Sequence, residues 1–251
     1  MSSINFKHTP YGDLAIISMR GCEDISSQVD FYLKQWRGIE DEDQSFVIDV
    51  NCPRFGTGEA KAVLHHSARG LDAFIICDCF NYNVTYKMYG QTVPMSPDDH
   101  FQDLKRIIAA FGGKARRITV IMPMLYEGRQ HRRTARESMD CAMALQELVS
   151  MGVKNIITFD AHDPRVNNAI PLDGFDNVQA AYQMIKALLR SVSDVKLDRD
   201  DYIANKNTKK FHYPNCRSVK QMKESNKKFF YDVTREYMIE QGYDPCGNCD
   251  P

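Results

Sequence analysis

Three segments of the chain gather side chains suited to phosphate chemistry. Asn51-Cys52-Pro53-Arg54-Phe55-Gly56-Thr57-Gly58-Glu59 joins an aromatic face, a cation and a carboxylate to two glycines that let backbone approach a ligand. Pro123-Met124-Leu125-Tyr126-Glu127-Gly128-Arg129-Gln130-His131-Arg132-Arg133-Thr134-Ala135-Arg136 carries four arginines in its last eight positions. Guanidinium forks match phosphate oxygens two at a time, so such a cluster suits a polyphosphate. In Asp160-Ala161-His162-Asp163-Pro164-Arg165, the Asp160 carboxylate and the His162 imidazole stand two residues apart. On extended backbone they share one side and could hold a divalent metal or a phosphate. A fourth set lies further on, where His212-x₃-Cys216 is followed after 29 residues by Cys246-x₂-Cys249. Those four ligands form a closed Cys₃His inventory, the usual composition of a structural zinc site.

The elements that must position these groups follow from the apolar pattern. Short β-branched runs at Leu14–Met19, Phe46–Val50, Ala73–Cys79, Ile118–Met122 and Ile156–Phe159 read as strands. Between them lie stretches of helical period. One holds Ile25, Val29, Tyr32, Leu33 and Trp36. Another holds Phe101, Leu104, Ile107, Ile108 and Phe111, closed by Gly112-Gly113, and a third runs from Met139 to Val149, closed by Gly152. Near-continuous apolar strands alternating with helices imply a parallel sheet covered on both faces. Ligands of such sheets sit beyond the carboxyl ends of the strands, where the three phosphate-type segments fall.

Composition sets the outer bounds. With 43% hydrophobic and 10% aromatic residues the chain can build a core, which excludes general disorder. The apolar runs fall well short of the ~20 residues of a membrane span, so no membrane association is expected. Met1–Lys7 lacks the basic and apolar regions of a signal peptide. Eight cysteines in that context imply reduced thiols or metal ligands, and a cytoplasmic location. Cys22, Cys52, Cys77, Cys79 and Cys141 fall in or beside apolar elements and are expected to be ordinary core thiols.

The net charge of −1 divides unevenly, into −3 for residues 1–195 and +2 for residues 196–251. From Asn205 to Lys228 eight cations face Glu224 alone. The shift predicts two domains, 1–195 and 202–251, with a polar linker at 196–201. In the second, Tyr202–His212 reads as two short strands around an Asn-rich turn. The fold class expected is therefore α/β, a parallel-sheet, Rossmann-like domain, followed by a small α+β zinc-binding domain.

Residues 12–192 resemble the N-terminal domain of ribose-phosphate diphosphokinase, also called phosphoribosyl pyrophosphate synthetase. The family's Arg-Phe-x-x-Gly-Glu loop is matched by Arg54–Glu59, and its Val-Arg-Gly-x-Asp by Ala68-Arg69-Gly70-Leu71-Asp72. Its acid-rich helix start is echoed by Ser96-Pro97-Asp98-Asp99-His100, and its Arg-Gln-Asp-Arg by Arg129-Gln130-His131-Arg132. Its Asp-Leu-His is matched by Asp160-Ala161-His162, and Pro171-Leu172-Asp173 echoes its Pro-Val-Asp.

The resemblance implies a phosphoribosyltransferase-like fold, with Mg-ATP as the nucleotide and transfer of its diphosphoryl group to ribose 5-phosphate. Phe55 would stack on adenine and Glu59 would help to read the base. Arg129, Gln130, Arg133 and Asp160 would complete the nucleotide site. His162 would be the catalytic position, binding the phosphates or the magnesium that bridges them. Thr57 stands where the family commonly has an acid, and His131 replaces an aspartate; both bear on base recognition. Family members are oligomers with nucleotide sites at subunit interfaces, which implies a homo-oligomer or assembly with partner synthetase subunits.

The ribose 5-phosphate half of the family pattern, two adjacent acids before Asp-Thr-Gly-Gly-Thr, is not found in these residues. No glycine-rich loop follows Asp98-Asp99 or Asp200-Asp201. This part of the pattern implies nucleotide binding without completed transfer. The segment from Asn205 to Cys249 resembles the Ada-type metal-binding domain, with zinc on His212, Cys216, Cys246 and Cys249. Three readings stay open: a nucleotide-binding diphosphokinase relative, a non-catalytic regulator of full-length synthetase, or a zinc-dependent nucleic-acid binder that uses the basic tail.

Overall fold

The computed structural model describes residues 12–39, 41, 44–191 and 199–251. The Met1–Lys7 segment and positions 196–198 of the expected linker lie outside them. The described residues form two compact units, divided after Ala180.

The first unit is built on a six-stranded, all-parallel sheet. Its strands are β1 (Asp13–Ser18), β2 (Val47–Ile48), β3 (Leu71–Ile76), β4 (Arg117–Met122), β5 (Asn155–Phe159) and β6 (Gly174–Val178), in the order β6-β5-β4-β3-β1-β2. The connecting helices are α1 (Glu23–Arg37), α2 (Pro97–Ala110) and α3 (Asp140–Ser150). Ile16, Ile17, Ile75, Val120 and Ile156 of the strands are buried together with Leu104 and Ile107 of α2 and Leu145 and Leu148 of α3. Burial of such side chains, each contributing about 1.5–3 kcal/mol, is the main stabilising contribution.

The parallel α/β architecture is the one the apolar alternation predicts, with three corrections. The run Phe46–Val50 is broken, because Val47–Ile48 joins the main sheet while Val50–Asn51 pairs antiparallel with Val63–Leu64. β3 ends at Ile76, so Cys77–Cys79 lie beyond the strand. β6 escapes the apolar criterion because its sequence, Gly-Phe-Asp-Asn-Val, alternates as a sheet-edge strand does.

The helices are also less symmetric than their stripes suggest. In α1, Val29 and Leu33 pack against the core while Ile25 and Trp36 stand exposed, as does Met143 of α3. α2 starts as its sequence indicates. Ser96 and Asp99 form a reciprocal capping box, with Pro97 in the first turn. Cys22, Cys77, Cys79 and Cys141 are buried and Cys52 is half-buried. Burial pushes the Cys22 and Cys141 thiols up to about 11, which makes them poor nucleophiles.

The second unit begins with α4 (Ala181–Ser191), earlier than the boundary expected at residue 195. The reason is electrostatic. Lys186 of α4 is only 4% exposed and lies 3.2 Å from Asp201 and 3.8 Å from Asp200. Residues 199–201, expected in the linker, open strand β7 (Arg199–Asn205). β7 pairs antiparallel with β8 (Lys210–His212) and β9 (Lys227–Thr234), and β10 (Asp244–Pro245) runs parallel to β8. Two short helices, α5 (Arg217–Lys220) and α6 (Arg235–Glu240), complete an α+β unit. Its apolar groups are few. Tyr202, Ala204, Phe211, Met238 and Tyr243 form one cluster, while Ile203 and Val219 form another together with Cys216 and Cys246. No helix among the described residues is long and apolar enough to cross a membrane.

Candidate functional site

The segments after β3, β4 and β5 enclose a cavity of about 620 Å³ at the carboxyl ends of the strands. Phe80 and Tyr82 follow β3, Glu127, Arg129 and Gln130 follow β4, and Asp160 and His162 follow β5. Tight turns aim these groups. The Gly128 N–H donates to the Leu125 carbonyl at 3.1 Å and the Gln130 N–H to the Glu127 carbonyl at 2.8 Å. A Cβ on Gly128 would lie 3.1 Å from that Leu125 oxygen, so glycine keeps the turn close. Asp160 takes a left-handed backbone conformation, φ 44°, and its N–H donates to the Val178 carbonyl at 3.0 Å. The missed strand β6 thus anchors the segment that carries Asp160 and His162.

Of the charged side chains that line the cavity, Arg129 is cationic and Glu127 and Asp160 are acidic. Arg129, Arg132, Arg133 and Arg136 are all exposed, and the charge of Arg129 acts on the Glu127 carboxylate. Burial, then the charges of Asp140 and Asp98, raise the Glu127 carboxyl above its usual range. Asp163 is already committed. Arg165 grips it from two nitrogens, holding its carboxyl well below the ordinary value, and His131 Nδ1 lies 3.2 Å from it. The His131 ring is 5.2 Å from that of His162. This pairing of the substituted position with Asp163 was not legible in the sequence, since nothing in the spacing links them.

Of the expected nucleotide residues, Arg129, Gln130, Asp160 and His162 line the cavity, while Phe55, Glu59 and Arg133 do not. Phe55 sits on a separate, well-braced loop. Its N–H donates to the Glu59 carbonyl at 2.7 Å, and Thr57 Oγ1 donates to the Glu59 carboxylate at 3.0 Å. Arg54 underpins this loop, donating to the Gly58 carbonyl at 3.0 Å and to Asp103 of α2 at 2.8 Å. The acid pairs serve structure. Asp99 caps α2, Asp98 accepts from the Tyr126 hydroxyl, and Asp200 and Asp201 hold Lys186.

In the second unit, His212, Cys216, Cys246 and Cys249 converge, their ligand atoms all within 4.8 Å of one another. The donor set fits a divalent metal on two further observations. His212 Nδ1 is buried with no hydrogen-bond partner among the described residues, and burial followed by the Lys210 charge shifts its imidazole below the usual histidine range. Burial resists ionisation of Cys246, yet the N–H groups of Asn248 and Cys249 and the neighbouring thiols bring it below the usual thiol range. Burial first, and then the neighbouring Cys216, push Cys249 up to about 12. Three crowded sulfurs cannot all ionise unaided, and a bound cation removes that conflict.

A parallel sheet whose strands are joined by helices defines the general class as an α/β protein. Residues 14–152 match the family model described as the N-terminal domain of ribose phosphate pyrophosphokinase, and the chain belongs to that family. Ribose-phosphate pyrophosphokinase 1 of Schizosaccharomyces pombe is 30% identical over 153 residues, which cover 58% of this chain and 32% of the relative. The ribose-phosphate pyrophosphokinase of Prochlorococcus marinus is 27% identical over 164 residues, 64% of this chain and 43% of that one. The chain thus spans less than half the length of these curated relatives. A crystal structure of phosphoribosylpyrophosphate synthetase from Mycobacterium smegmatis superposes with a TM-score of 0.57 at 20% identity, covering 72% of this chain and 53% of that one. That likeness concerns the fold.

Proposed function

We propose that the first unit binds Mg-ATP through the cavity after β4 and β5, as the nucleotide-binding part of a ribose-phosphate pyrophosphokinase-type protein. The convergence of Arg129, Gln130, Asp160 and His162 on one cavity carries the reading. Arginine forks would take the phosphates, and the amide of Gln130 would fix their orientation. Asp160 and His162 are the groups that would hold magnesium, an ion that prefers a few protein ligands completed by phosphate oxygens and water. Magnesium would supply charge neutralisation between the phosphates. Transfer also requires the sugar hydroxyl to be held in line. With no acceptor-site motif in these residues, binding without completed transfer is the activity proposed for this chain alone. Phe55 and Glu59 lie off the cavity, which favours a homo-oligomer in which one copy's loop completes another copy's site. Calorimetric titration with Mg-ATP checks this: saturable binding is expected, and no saturable heat at millimolar ligand would refute it.

For the second unit, we infer a structural zinc ion on His212, Cys216, Cys246 and Cys249, in an Ada-type metal-binding module. A second role, contact with nucleic acid, is favoured by Lys206, Lys209, Lys210, Arg217, Lys220, Lys223 and Lys228. All are exposed, and none has a carboxylate partner among the described residues. Lysines that replace counterions on a phosphate backbone give affinity that falls steeply with salt. Binding of a labelled oligonucleotide is therefore expected to weaken at least tenfold between 50 and 200 mM salt, on the order expected for several phosphate contacts. Affinity indifferent to salt would remove this role.

A further inference from the structure

The hairpin formed by Thr85–Met88 and Gln91–Pro94 has no part in the cavity or the metal cluster, yet it is built against the Phe55 loop. The Tyr89 N–H at its tip donates to the Gly56 carbonyl at 2.8 Å. The Arg54 guanidinium lies over the Tyr86 ring, 4.6 Å from its centroid. Met88 Sδ lies 3.0 Å from where a Cβ on Gly58 would stand, and Gly58 itself has φ +94°. Only glycine permits so close an approach in that conformation. The hairpin is anchored in turn, because the Met95 N–H donates to the Val84 carbonyl at 2.8 Å and the chain then enters the capped start of α2. Loop and hairpin therefore form one rigid platform.

Tyr89 is the anomaly on that platform. With Gly90 it forms a two-residue turn at φ 48° and 80°, where Asn, Asp or Gly is preferred at the first position. A tyrosine there goes against backbone preference, and the residue is 79% exposed, so packing does not account for it. One hydrogen bond away, the loop carries Phe55, itself 54% exposed. Strained backbone of this kind clusters at active sites and ligand clamps, and here it presents an exposed aromatic residue beside the Phe55 loop.

We propose that Tyr89 is a second aromatic contact for the base of the nucleotide, so that Phe55 and Tyr89 together select a planar aromatic base. This rests on the nucleotide reading above, with Phe55 as the stacking residue. Aromatic faces hold bases by offset stacking, which tolerates different bases but gives nothing to a bare phosphate chain.

The test titrates the full chain with Mg-ATP and with Mg-tripolyphosphate, which has no base. Tyr89→Asn removes the ring while favouring the turn, so its melting temperature is expected to match or exceed that of the unchanged protein. It is expected to weaken Mg-ATP binding about five- to tenfold, at the low end for a stacking contact, and to leave tripolyphosphate binding within about twofold. Tyr89→Trp is expected to retain ATP affinity. Mg-ATP affinity unchanged in Tyr89→Asn but reduced in Phe55→Ala would overturn the proposal and leave the nucleotide reading standing. Equal weakening of both ligands by Tyr89→Asn would overturn it as well. Absence of Mg-ATP binding by the unchanged protein would instead refute the underlying reading.

Discussion

Replacing Cys246 with serine is expected to unfold the second unit. Two small apolar clusters hold that unit together, and one of them includes Cys216 and Cys246, with Cys249 packed against it, three of the proposed metal ligands. Serine at position 246 would remove a soft ligand and leave His212 Nδ1, the buried Cys216 thiol and the half-buried Cys249 thiol one donor short of a closed metal site. Structural zinc in small peptides contributes on the order of 10–16 kcal/mol at neutral pH, comparable to the ~5–15 kcal/mol total stability of an ordinary domain. The metal content is expected to fall from about one zinc per chain to near zero, with loss of strand signal in circular dichroism and of the second unit's melting transition. A chelator should do the same to the unchanged protein, and the first unit's transition should persist in both cases. Unchanged protein that contains no zinc and melts identically with and without chelator would show the cluster to be a set of packed thiols.

His162→Ala is expected to weaken Mg-ATP binding by about ten- to a hundredfold, the equivalent of one charge-assisted contact of ~1.5–3 kcal/mol. His162 is exposed at the cavity wall, so little stability is lost with it. The melting temperature and the zinc content should stay as they are. Calorimetry on the purified variant measures the affinity, and metal analysis of the same sample measures the zinc. Undiminished affinity would remove His162 from the site. A parallel fall in zinc would show that the two sites are not independent.

Much of this arrangement was legible in short windows of sequence. β1, β4 and β5 were visible as β-branched runs, because strands covered on both faces of a parallel sheet must be apolar at nearly every position. α2 announced itself through Ser96, Pro97 and Asp99, since capping is a contact between residues three apart. The edge strand β6 was missed for the same reason in reverse: where only one face of a strand is covered, the continuous apolar run that marks it disappears, whereas β2 was found within Phe46–Val50 and only its extent was overdrawn. The expected linker at 196–201 was misread at its far end because charged residues ordinarily mark solvent. Asp200 and Asp201 instead pair with Lys186, a partner supplied by a helix that local sequence cannot connect to them.

The same distinction applies to function. Side-chain types at fixed short spacings, Asp160 with His162 and Cys246 with Cys249, depend on local backbone geometry alone, and they carried the candidate chemistry in the sequence itself. Whether those groups converge depends on distant segments meeting, which no periodicity records. Tertiary structure alone decided that Arg129 and Gln130 join Asp160 and His162 in one cavity while Phe55 and Glu59 stand on another platform. It also bound His131 to Asp163 and set the Tyr89 hairpin against Gly56, because these contacts arise from packing between segments rather than from the chain's local preferences.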